Sequence, residues 1–598
     1  MTNREIAQLL RNIAAAYEVL GENRFRIIAY DRAAESIEHL TSELKDYWDD
    51  GKLGEIPAVG ETIAGHLDEL FKTGSSKHFA SVMGKVPQAI FPLLMVPGLG
   101  PKKAYKLVKA LKLTSAKSVI EDLGKAAKAH RIASIEGFGE KSESDILTGL
   151  EAFKKGQIKE NRMVLPEADA IAHEVLTHIR KSPDAKHTDT LGSLRRWVST
   201  VGDVDIAVAT AKPKEVIDHF ITFPHQKIIE RGPTGASLLL HNGRQVDMRV
   251  GKPSAYGAML QYFTGSKNHN IRLREYALTK GMSLNEYGIK DIRTGKLRTF
   301  ETEEAFYKAL GLAFIPPEIR EDKGEIEAAL RSAQGKPGGL PNLVELKDIR
   351  GDLHIHTSYN LEPSHDLGSS TLAEVLDKAH ELGYSYVGLS DHNPSKGNHS
   401  DNQIIDIMKR RKNKYEQQYY SWNARVKKRV HLVIMLEVDI LSDGKLALPD
   451  EAYNYVDAVI VSVHSSFSQN KSDMTKRITN ALQSHPKVRI FGHPTGRLLQ
   501  KREGYELEWD TIFDICQHND IALEINAFPD RLDLPDMLVF EAAKKDIKFC
   551  INTDAHAAGQ MDSMKFGVSV ARRGWATKRD IVNCMDYNDF ATWITKRR

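Results

Sequence analysis

The chain of 598 residues is 41% hydrophobic and 27% charged, with a formal net charge of +3. This length exceeds what one hydrophobic core can organise, so we expect three to five domains. The near-neutral charge excludes a basic field over the whole protein, and any surface for nucleic acid must be local. No apolar run approaches the roughly 20 residues of a membrane span, and the first residues are unlike a signal peptide. Three scattered cysteines indicate free thiols, so we expect a cytoplasmic protein that does not enter a membrane.

The first part of the chain is predicted to be helical. Apolar residues recur at helical spacing over residues 4–20, and two more helical stretches follow. A short pattern then occurs three times before a predicted helix, as Ile56-Pro-Ala-Val-Gly60, Val96-Pro-Gly-Leu-Gly100 and Ile135-Glu-Gly-Phe-Gly139. It resembles the helix-hairpin-helix motif, whose tight turn leaves backbone amides free for a DNA phosphate. One copy could be a packing device, but three copies favour binding to the DNA backbone.

The next segment combines two arginines with alternating acids. Gly192-Ser-Leu-Arg-Arg196 precedes a strand on which Asp203 and Asp205 share one face, because side chains two apart on a strand point the same way. Two carboxylates this close repel each other unless a cation lies between them, and hard divalent ions are the natural partners. Asp247, on a later strand, would complete a two-metal site for phosphoryl transfer. An Asp-x-Asp pair taken alone is also compatible with a solvated strand edge.

These motifs, together with Tyr262-Phe-Thr-Gly-Ser266, resemble those of family X DNA polymerases, the group of DNA polymerase beta. The resemblance implies a helical, 8-kDa-like DNA-binding domain over residues 1–90 and a helix-hairpin-helix, fingers-like subdomain over 91–158. It further implies a nucleotidyltransferase palm over 159–250 and a helical thumb over 251–320. Gapped or primed duplex DNA and dNTPs would be the substrates.

The same resemblance assigns roles to individual residues. Asp203, Asp205 and Asp247 would be catalytic and hold two Mg²⁺ ions. The triphosphate would contact Ser193, Arg196, Gly202 and Arg162, which suits arginine forks and backbone amides. The rest of the nucleotide and the template would contact Tyr262, Phe263, Gly265, Asn270 and Arg274. Core packing is the alternative interpretation of the two aromatic rings.

One position departs from the family pattern. In the family's lyase domain, a lysine on the helix after the first hairpin forms a Schiff base with an abasic sugar, and alignment places His66 there. A histidine cannot form a stable imine as a lysine amine can. We therefore expect this domain to bind gapped DNA without lyase chemistry at that residue.

Residues 321–345 are charged and then rich in Gly and Pro, which predicts a linker. Beyond them, seven short apolar strands alternate with helices and end in metal-ligand residues. These ends are Asp352-Leu-His-Ile-His-Thr357, Leu389-Ser-Asp-His392, Met435-Leu-Glu-Val-Asp439, Ser462-Val-His464, Phe491-Gly-His493, Leu523-Glu-Ile-Asn526 and Asn552-Thr-Asp-Ala-His556. Barrel enzymes build their sites at the C-terminal ends of strands, so this pattern predicts a metal centre.

Residues 346–598 resemble the polymerase and histidinol phosphatase (PHP) domain, a (βα)7 barrel. The ligands that the resemblance implies are His354, His356, Asp391, His392, Glu437, His464, His493, Asp554 and His556. The family's aromatic-Ser-Asp-Gly sequence is interrupted here, and either His365 or Asp366 could replace a ligand to a third ion. Mixed imidazole and carboxylate ligands suit two to three Mn²⁺ or Zn²⁺ ions better than Mg²⁺.

The expected architecture is multidomain, α+β in the polymerase part and α/β in the barrel. We expect a monomeric DNA polymerase that fills short gaps in base excision repair, with a metal-dependent 3′–5′ exonuclease; an added abasic-site endonuclease stays open. One alternative is a PHP-type phosphoesterase tethered to DNA by an inactive polymerase-like module. Another is a non-catalytic scaffold that binds DNA ends. The intact acid triad favours the polymerase, since a tether does not need all three carboxylates.

Overall fold

The computed structural model describes residues 1, 3–38, 44–49, 51–56, 58–96, 99–154, 162–363, 365–427 and 429–596. The chain forms two compact units, Met1–Glu160 and Asn161–Arg598. The palm, the thumb, the expected linker and the barrel all belong to the second unit. Among the described residues, no helix combines the length and the apolar character that crossing a membrane requires.

The described part of the first unit is built from helices. They are α1 (Asn3–Leu20), α2 (Arg24–Glu38), α3 (Leu44–Asp49), α4 (Glu61–Thr73), α5 (Lys77–Gly84), α6 (Ile90–Leu93), α7 (Pro101–Ala110), α8 (Val119–Lys128) and α9 (Glu140–Lys154). Ile6, Leu10, Ile13 and Tyr17 of α1 are buried against the other helices. The predicted amphipathic helix over residues 4–20 is therefore confirmed.

Helices α4, α7 and α9 begin directly after the three hairpin patterns. Gly60 and Gly100 precede their helices with extended backbone, whereas the third pattern position is left-handed, with a φ of 63° at Ala58 and 81° at Gly137. That conformation favours glycine because a Cβ crowds the backbone there. Residues 57, 97 and 98 of the patterns lie outside the described residues.

The second unit begins with the palm. Its elements are β1 (Met163–Val164), α10 (Leu165–Ile179), β2 (His187–Thr190), α11 (Gly192–Arg195), β3 (Thr200–Val201), β4 (Val204–Ala209), α12 (Pro213–Phe220), β5 (Lys227–Arg231), β6 (Gly235–Leu239) and β7 (Gln245–Gly251). The main sheet has the order β2-β4-β7-β6-β5, in which only β4 and β7 are parallel. Val204, Ile206 and Val208 of β4 are buried in the core with α10. The alternation of the strand therefore directs Asp205 to the opposite face.

The thumb follows and includes the expected linker. Its elements are α13 (Tyr256–Thr264), α14 (Lys267–Leu278), β8 (Met282–Asn285), β9 (Gly288–Asp291), β10 (Leu297–Arg298), α15 (Glu303–Ala309) and α16 (Glu325–Ala333). Residues 321–345 therefore do not form a linker throughout, since α16 lies within them. Ile326 and Ala329 share a buried core with Phe306, because apolar residues of α16 recur at helical spacing. Only the Gly/Pro-rich stretch after α16 has the composition of a linker.

The C-terminal part is a parallel barrel. Its elements are β11 (Gly351–Asp352), α17 (Leu372–Glu381), β12 (Tyr386–Leu389), α18 (Asp401–Asn423), β13 (His431–Asp439), β14 (Ala458–Ser462), α19 (Lys471–Gln483), β15 (Val488–Phe491), α20 (Trp509–His518), β16 (Ala522–Asn526), α21 (Asp536–Ala543), β17 (Phe549–Asn552), α22 (Met564–Arg573) and α23 (Tyr587–Thr595). The strands pair in the order β11 to β17, and a parallel bridge between Ile355 and Ala555 joins the two ends. The predicted seven-stranded barrel is confirmed.

The palm and the barrel pack directly against each other. Buried apolar residues of both belong to one continuous cluster. At their junction the rings of Trp197 and Phe566 have centroids 6.2 Å apart. Lys565 Nζ and Asp169 Oδ2 form an ion pair of 2.6 Å nearby.

Candidate active sites

Two neighbouring strands bring the three predicted palm acids together. Asp205 on β4 lies opposite Asp247 on the parallel strand β7, and Asp203 precedes β4 by one residue. One carboxylate oxygen from each of the three lies within 4.8 Å of the others. Asp203 is exposed, Asp205 is half-buried and Asp247 is buried. The arrangement is a carboxylate cluster with one open side.

The electrostatics of this cluster fit a cation. Burial, with the nearby charge of Asp203, raises the pKa of Asp247 to about 7, although hydrogen bonds from Ser237 and Gln245 oppose the rise. Burial and the other two carboxylates raise the pKa of Asp205 well above its usual range. Three acids that resist joint ionisation are stabilised by divalent positive charge, and oxygen ligands of this kind suit Mg²⁺.

The predicted triphosphate residues surround this cluster. Gly192 has a φ of 56°, and a Cβ there would lie 2.6 Å from Asp205 Oδ2, so the turn that carries Ser193 requires glycine. Arg162 donates from Nε to Thr200 Oγ1 at 3.0 Å. A Cβ on Gly202 would lie 3.6 Å from Arg162 Nη1, which places these two predicted residues side by side.

Arg196 lies between the acid cluster and the thumb. Its Nη1 donates to the carbonyl of Thr264, and its Nε donates to Glu321 Oε1 at 3.0 Å. A Cβ on Gly265 would lie 3.2 Å from Arg196 Nη1, so the backbone bend at Gly265 meets the arginine. Arg196 is also close enough to Asp205 to oppose the rise in the pKa of that acid.

The aromatic pair on α13 is only half-buried. The rings of Tyr262 and Phe263 meet edge to face with centroids 4.9 Å apart. Arg274 lies over Tyr262 at 5.3 Å, and Arg249 lies over Phe263 at 4.3 Å. Asn270 donates from Nδ2 to the carbonyl of Tyr262 at 2.8 Å, so its amide is held against α13. Complete core packing of the two rings is thus not what the structure shows.

Two palm residues near these groups received no role from the sequence, although Arg249 was expected on the same strand face as Asp247. Gln245 Nε2 donates to both oxygens of Asp247 at 3.0 Å, and Arg249 opposes the rise in the pKa of Asp247. Both share a strand face with Asp247, two positions to either side. Strand alternation alone could have indicated them.

In the barrel, the predicted ligands gather around Glu437. Its Oε2 lies 3.2 Å from His354 Nε2 and 3.0 Å from His392 Nδ1. Its Oε1 lies 3.0 Å from His493 Nε2 and 3.4 Å from His464 Nε2. Glu437 is 1% exposed. One carboxylate at the centre of four imidazoles has the position of a ligand that bridges two ions.

Asp554 and His556 complete the cluster from the end of β17. His356 Nε2 lies 3.1 Å from Asp554 Oδ1. The rings of His356 and His556 are stacked with centroids 4.2 Å apart, and those of His356 and His392 are 4.4 Å apart. Ligand atoms of His354, His356 and Asp554 lie within 4.8 Å of one another, as do those of His356, His392 and His556. The barrel therefore contains several overlapping three-ligand groups.

Unpaired polar atoms in this cluster fit metal ions. Among the described residues, the buried atoms without a hydrogen-bond partner include His354 Nε2, His392 Nδ1 and Glu437 Oε2. Buried polar atoms without partners are costly, and all three point at the same space. Imidazole nitrogen and carboxylate oxygen form the donor set of Mn²⁺ and Zn²⁺ sites.

The histidines of the cluster divide into two electrostatic classes. Burial lowers the pKa of His356 to about 3 and that of His493 to about 4. Burial acts in the same direction on His464, but Glu437 and Asp439 outweigh it and raise its pKa to about 9. Burial would raise the pKa of Glu437, yet His354 and His392 hold it well below its usual range. Without metal, protons on some imidazoles partly balance the central carboxylate.

Two carboxylates behind the cluster were missed as functional residues. Glu524 Oε1 lies 2.7 Å from His354 Nδ1, and Asp439 Oδ1 lies 2.7 Å from His464 Nδ1. Each fixes the far side of an imidazole whose Nε2 faces Glu437, as outer-shell carboxylates do in metal sites. The strand ends that contain them were recognised, but the cross-strand pairing that gives them this role is not local in sequence.

Asp391 does not join the described ligand groups. Its Oδ1 accepts from the amide and the hydroxyl of Thr357 at 2.6 and 2.9 Å. Its Oδ2 accepts from Arg411 at 2.6 Å and from Tyr415 at 2.7 Å. The oxygens of a buried carboxylate with this many hydrogen bonds are already occupied, which argues against Asp391 as a metal ligand.

The inserted segment contributes His365 next to the cluster. His365 Nε2 lies 3.0 Å from Asp439 Oδ1, and its ring centroid lies 4.9 Å from that of His392. Asp366 lines a small pocket together with His356 and His392. Of the two inserted residues, His365 joins a ligand group, since its ligand atom and those of Asp439 and His464 lie within 4.8 Å of one another.

In the first unit, His66 lines a cavity of about 800 Å³ with Arg26, Tyr17 and Tyr30. Its ring stacks on His78 with centroids 4.2 Å apart. None of the described residues that line this cavity is a lysine. The expectation that His66 lacks Schiff-base chemistry stays a prediction.

Similarity to known proteins extends over both sites. The chain is 33% identical over 604 residues to the DNA polymerase/3'-5' exonuclease PolX of Bacillus subtilis, and the alignment covers 100% of each chain. The chain belongs to the PolX family. It is also 25% identical over 350 residues to DNA polymerase lambda of Rattus norvegicus and 24% identical over 354 residues to that of Arabidopsis thaliana. Each of these alignments covers 53% of this chain, and they cover 56% and 62% of the respective relatives.

Family models match separate parts of this chain. A helix-hairpin-helix domain matches residues 1–76, and a SAM-like helix-hairpin-helix tandem matches residues 91–152. The DNA polymerase beta thumb matches residues 259–321, and the PHP domain matches residues 352–528. The predicted family resemblances in both halves are confirmed.

Proposed function

We propose that the chain is a DNA-directed DNA polymerase with a 3′–5′ exonuclease in its barrel, and that it fills short gaps in DNA repair. The observation that carries the proposal is the presence of two separate ligand clusters in one compact unit. The carboxylates of the palm form one, and the histidines around Glu437 form the other. Similarity to a Bacillus subtilis protein whose name gives both activities supports it.

In the palm, Asp203, Asp205 and Asp247 would hold Mg²⁺. Cations bound there supply positive charge to phosphate oxygens during transfer from a dNTP to a primer 3′ hydroxyl. The protein's own contribution is orientation. Arg162 and Arg196 offer guanidinium forks beside Gly202 and Gly265, and such forks match phosphate oxygens in shape and charge.

The half-buried aromatic pair would form the floor for the sugar. Tyr262 and Phe263 are each covered on one side by an arginine. Asn270 holds the carbonyl of Tyr262, so its effect on the nucleotide would pass partly through the position of that ring. Arg274 and Ser193 complete the set that we assign to nucleotide and template binding.

Gapped duplex DNA would be bound by the first unit. Lys102, Lys103 and Lys141 are exposed near the N-terminal ends of α7 and α9. Backbone amides and lysines at these turns suit phosphates and read no base sequence. Binding through them would weaken steeply with added salt.

The barrel would hydrolyse the phosphodiester at a DNA 3′ end. Its ligands would hold two to three Mn²⁺ or Zn²⁺ ions, and they are His354, His356, His392, Glu437, His464, His493, Asp554 and His556. Cations bound there supply Lewis acidity for hydrolysis. Glu524 and Asp439 would keep two imidazoles in the correct orientation.

The inactive tether and the non-catalytic scaffold are disfavoured by the palm itself. Burial and mutual repulsion raise the pKa of Asp247 to about 7. Three acids within 4.8 Å add nothing to packing or to a DNA tether. A metal-dependent transfer site is the function that uses all three.

An assay on gapped duplex DNA tests the proposal. The intact protein should extend the primer with Mg²⁺ and dNTPs, and should shorten the same primer when Mn²⁺ is present without dNTPs. The double variant His354→Ala with His356→Ala should extend but not shorten it. A purified, folded protein that does neither would overturn both assignments.

A further inference from the structure

Helix α22 of the barrel reaches the polymerase part through three cationic residues. Lys565 pairs with Asp169 on α10. Arg572 Nε pairs with Glu318 Oε1 at 2.8 Å. Arg573 Nη1 pairs with Glu321 Oε1 at 3.0 Å. Neither of the first two pairs includes a residue that we assign to the nucleotide, whereas the partner of Arg573 also binds Arg196.

Arg573 is held between the barrel and the palm. Its Nη2 donates to Asp536 Oδ2 of the barrel at 3.0 Å. Its Nη1 donates to the backbone carbonyl of Arg196 at 2.8 Å. The side chain is only 7% exposed, so these contacts are shielded from solvent. Charge-assisted hydrogen bonds are stronger in such surroundings.

Glu321 is shared by two arginines. Its Oε1 accepts from Arg196 Nε at 3.0 Å and from Arg573 Nη1 at 3.0 Å. A single carboxylate oxygen divided between two guanidinium groups binds each less strongly than it would bind one alone. Arg573 therefore weakens the hold of Glu321 on Arg196 while fixing the backbone of Arg196 in place.

We propose that Arg573, a residue of the nuclease barrel, is a positioning residue for nucleotide binding in the polymerase site. It shares Glu321 with Arg196 and anchors the Arg196 peptide, which loosens the hold of Glu321 on the Arg196 guanidinium and leaves that group more able to bind a triphosphate. This inference rests on the proposed role of Arg196. It means that the affinity of the polymerase for dNTPs depends on a side chain from the domain that removes nucleotides.

The first test is the variant Arg573→Gln in the full-length protein, assayed on gapped DNA. Glu321 then pairs with Arg196 alone, and the KM for dNTP should rise about tenfold, as for the loss of one charge-assisted hydrogen bond. The kcat at saturating dNTP and the exonuclease rate should each change less than about twofold. An unchanged KM would overturn the proposal.

The second test is rescue by Glu321→Gln. A neutral side chain at 321 pairs with Arg196 more weakly than a carboxylate does, so the double variant Arg573→Gln with Glu321→Gln should have a KM clearly below that of Arg573→Gln. A defect in folding or domain packing would not be relieved by removing a second ion-pair partner. A KM in the double variant as high as in Arg573→Gln overturns the proposal.

Arg572→Gln is the matched control. It removes a neighbouring arginine on the same helix that also crosses to the polymerase part, but its partners are Glu318 and the carbonyl of Val344. Its KM for dNTP should equal that of the wild type, and an equal rise would instead assign the effect to general docking. The variant Arg196→Ala distinguishes the proposed role of Arg196 from the positioning role of Arg573. If it leaves KM unchanged, the role of Arg196 itself fails; if it raises KM while Arg573→Gln does not, only the positioning role fails.

Discussion

The proposed palm and barrel sites differ in how far they are enclosed. The palm uses three carboxylates on two adjacent strands, and one of them is exposed. The barrel draws its ligands from several strand ends, and His354 and Glu437 are 0% and 1% exposed. Mg²⁺ sites commonly combine one or two carboxylates with substrate phosphates, whereas a histidine cage binds ions without substrate. The comparison teaches that the palm ions should arrive with the nucleotide, while the barrel ions should be resident.

The largest expected effect is the loss of incorporation when one palm carboxylate is neutralised. Asp247→Asn keeps the shape of the side chain but removes its charge, so incorporation should fall by at least about 10³-fold, equivalent to about 4 kcal/mol. Exonuclease activity should persist, because Asp247 lies outside the barrel cluster. Single-turnover incorporation on a gapped duplex measures the loss.

The control for this variant is Asp189→Asn in the same sheet. Asp189 accepts a hydrogen bond from Tyr256 at 2.7 Å, and an asparagine oxygen can accept the same bond. Incorporation should remain near wild type. If both variants lose activity equally, the palm cluster is not specifically catalytic.

The second prediction concerns the loss of exonuclease activity when the central carboxylate of the barrel is neutralised. Glu437→Gln removes the charge at the centre of the imidazoles, and degradation of a primer should fall by about 10³-fold, equivalent to about 4 kcal/mol, while incorporation persists. Metal content of the desalted protein, measured by mass spectrometry, should fall because the resident ions lose their shared ligand. Glu362→Gln, which alters an exposed carboxylate paired with His399, should leave both readings unchanged. Full exonuclease activity in Glu437→Gln would refute the central role of this residue.

A smaller effect separates ligands from the residues behind them. Glu524→Gln leaves every proposed ligand in place but weakens the contact that orients His354. Metal affinity or exonuclease activity should fall by about 10- to 100-fold, as for other outer-shell substitutions. Excess Mn²⁺ should restore much of the activity, which it cannot do for Glu437→Gln. Absence of any change in metal affinity would remove Glu524 from this role.

The smallest expected effect is a difference between the two sites in how metal affinity depends on pH. Metal binds the deprotonated ligand, so affinity rises with pH until the pKa of the metal-free ligand is passed and is then constant. The apparent Mg²⁺ affinity for incorporation should therefore rise with pH at least up to about pH 7, the pKa of Asp247. Mn²⁺ affinity in the barrel should keep rising toward about pH 9, the pKa of His464. Metal titrations at several pH values would contradict this if both curves levelled off together.

Strand alternation and strand order explain why the sequence could group these candidate residues. Asp203 and Asp205 could be placed on one face from local sequence, and Asp247 follows from the same rule on a second strand. In the barrel, ligand residues at consecutive strand ends must converge once the strands are parallel. Both features can be inferred from the local sequence pattern together with the predicted fold class.

Other features depend on contacts between distant segments. Asp391 was expected to be a ligand because it stands at a strand end, but Arg411 on α18 reaches it and satisfies its charge. Glu524 meets His354 across the barrel, 170 residues away in sequence. The helix within residues 321–345 was obscured by its glycine- and proline-rich neighbour, although Ile326 and Ala329 already had helical spacing. Pairings of this kind require the folded chain.

The shared core of palm and barrel has a thermodynamic consequence. The amide of Val344 donates to the carbonyl of Ala576, and Leu343 forms a β-bridge with Thr577. The segment that leads into the barrel is therefore hydrogen-bonded to the C-terminal part of the barrel. Removing the barrel by cutting the chain near Pro341 would expose Trp197 and neighbouring apolar residues to solvent. Residues 161–598 should consequently melt in one cooperative transition, and a severed polymerase fragment should melt at a lower temperature. Exchanging barrels between relatives would then require matching both sides of that buried seam.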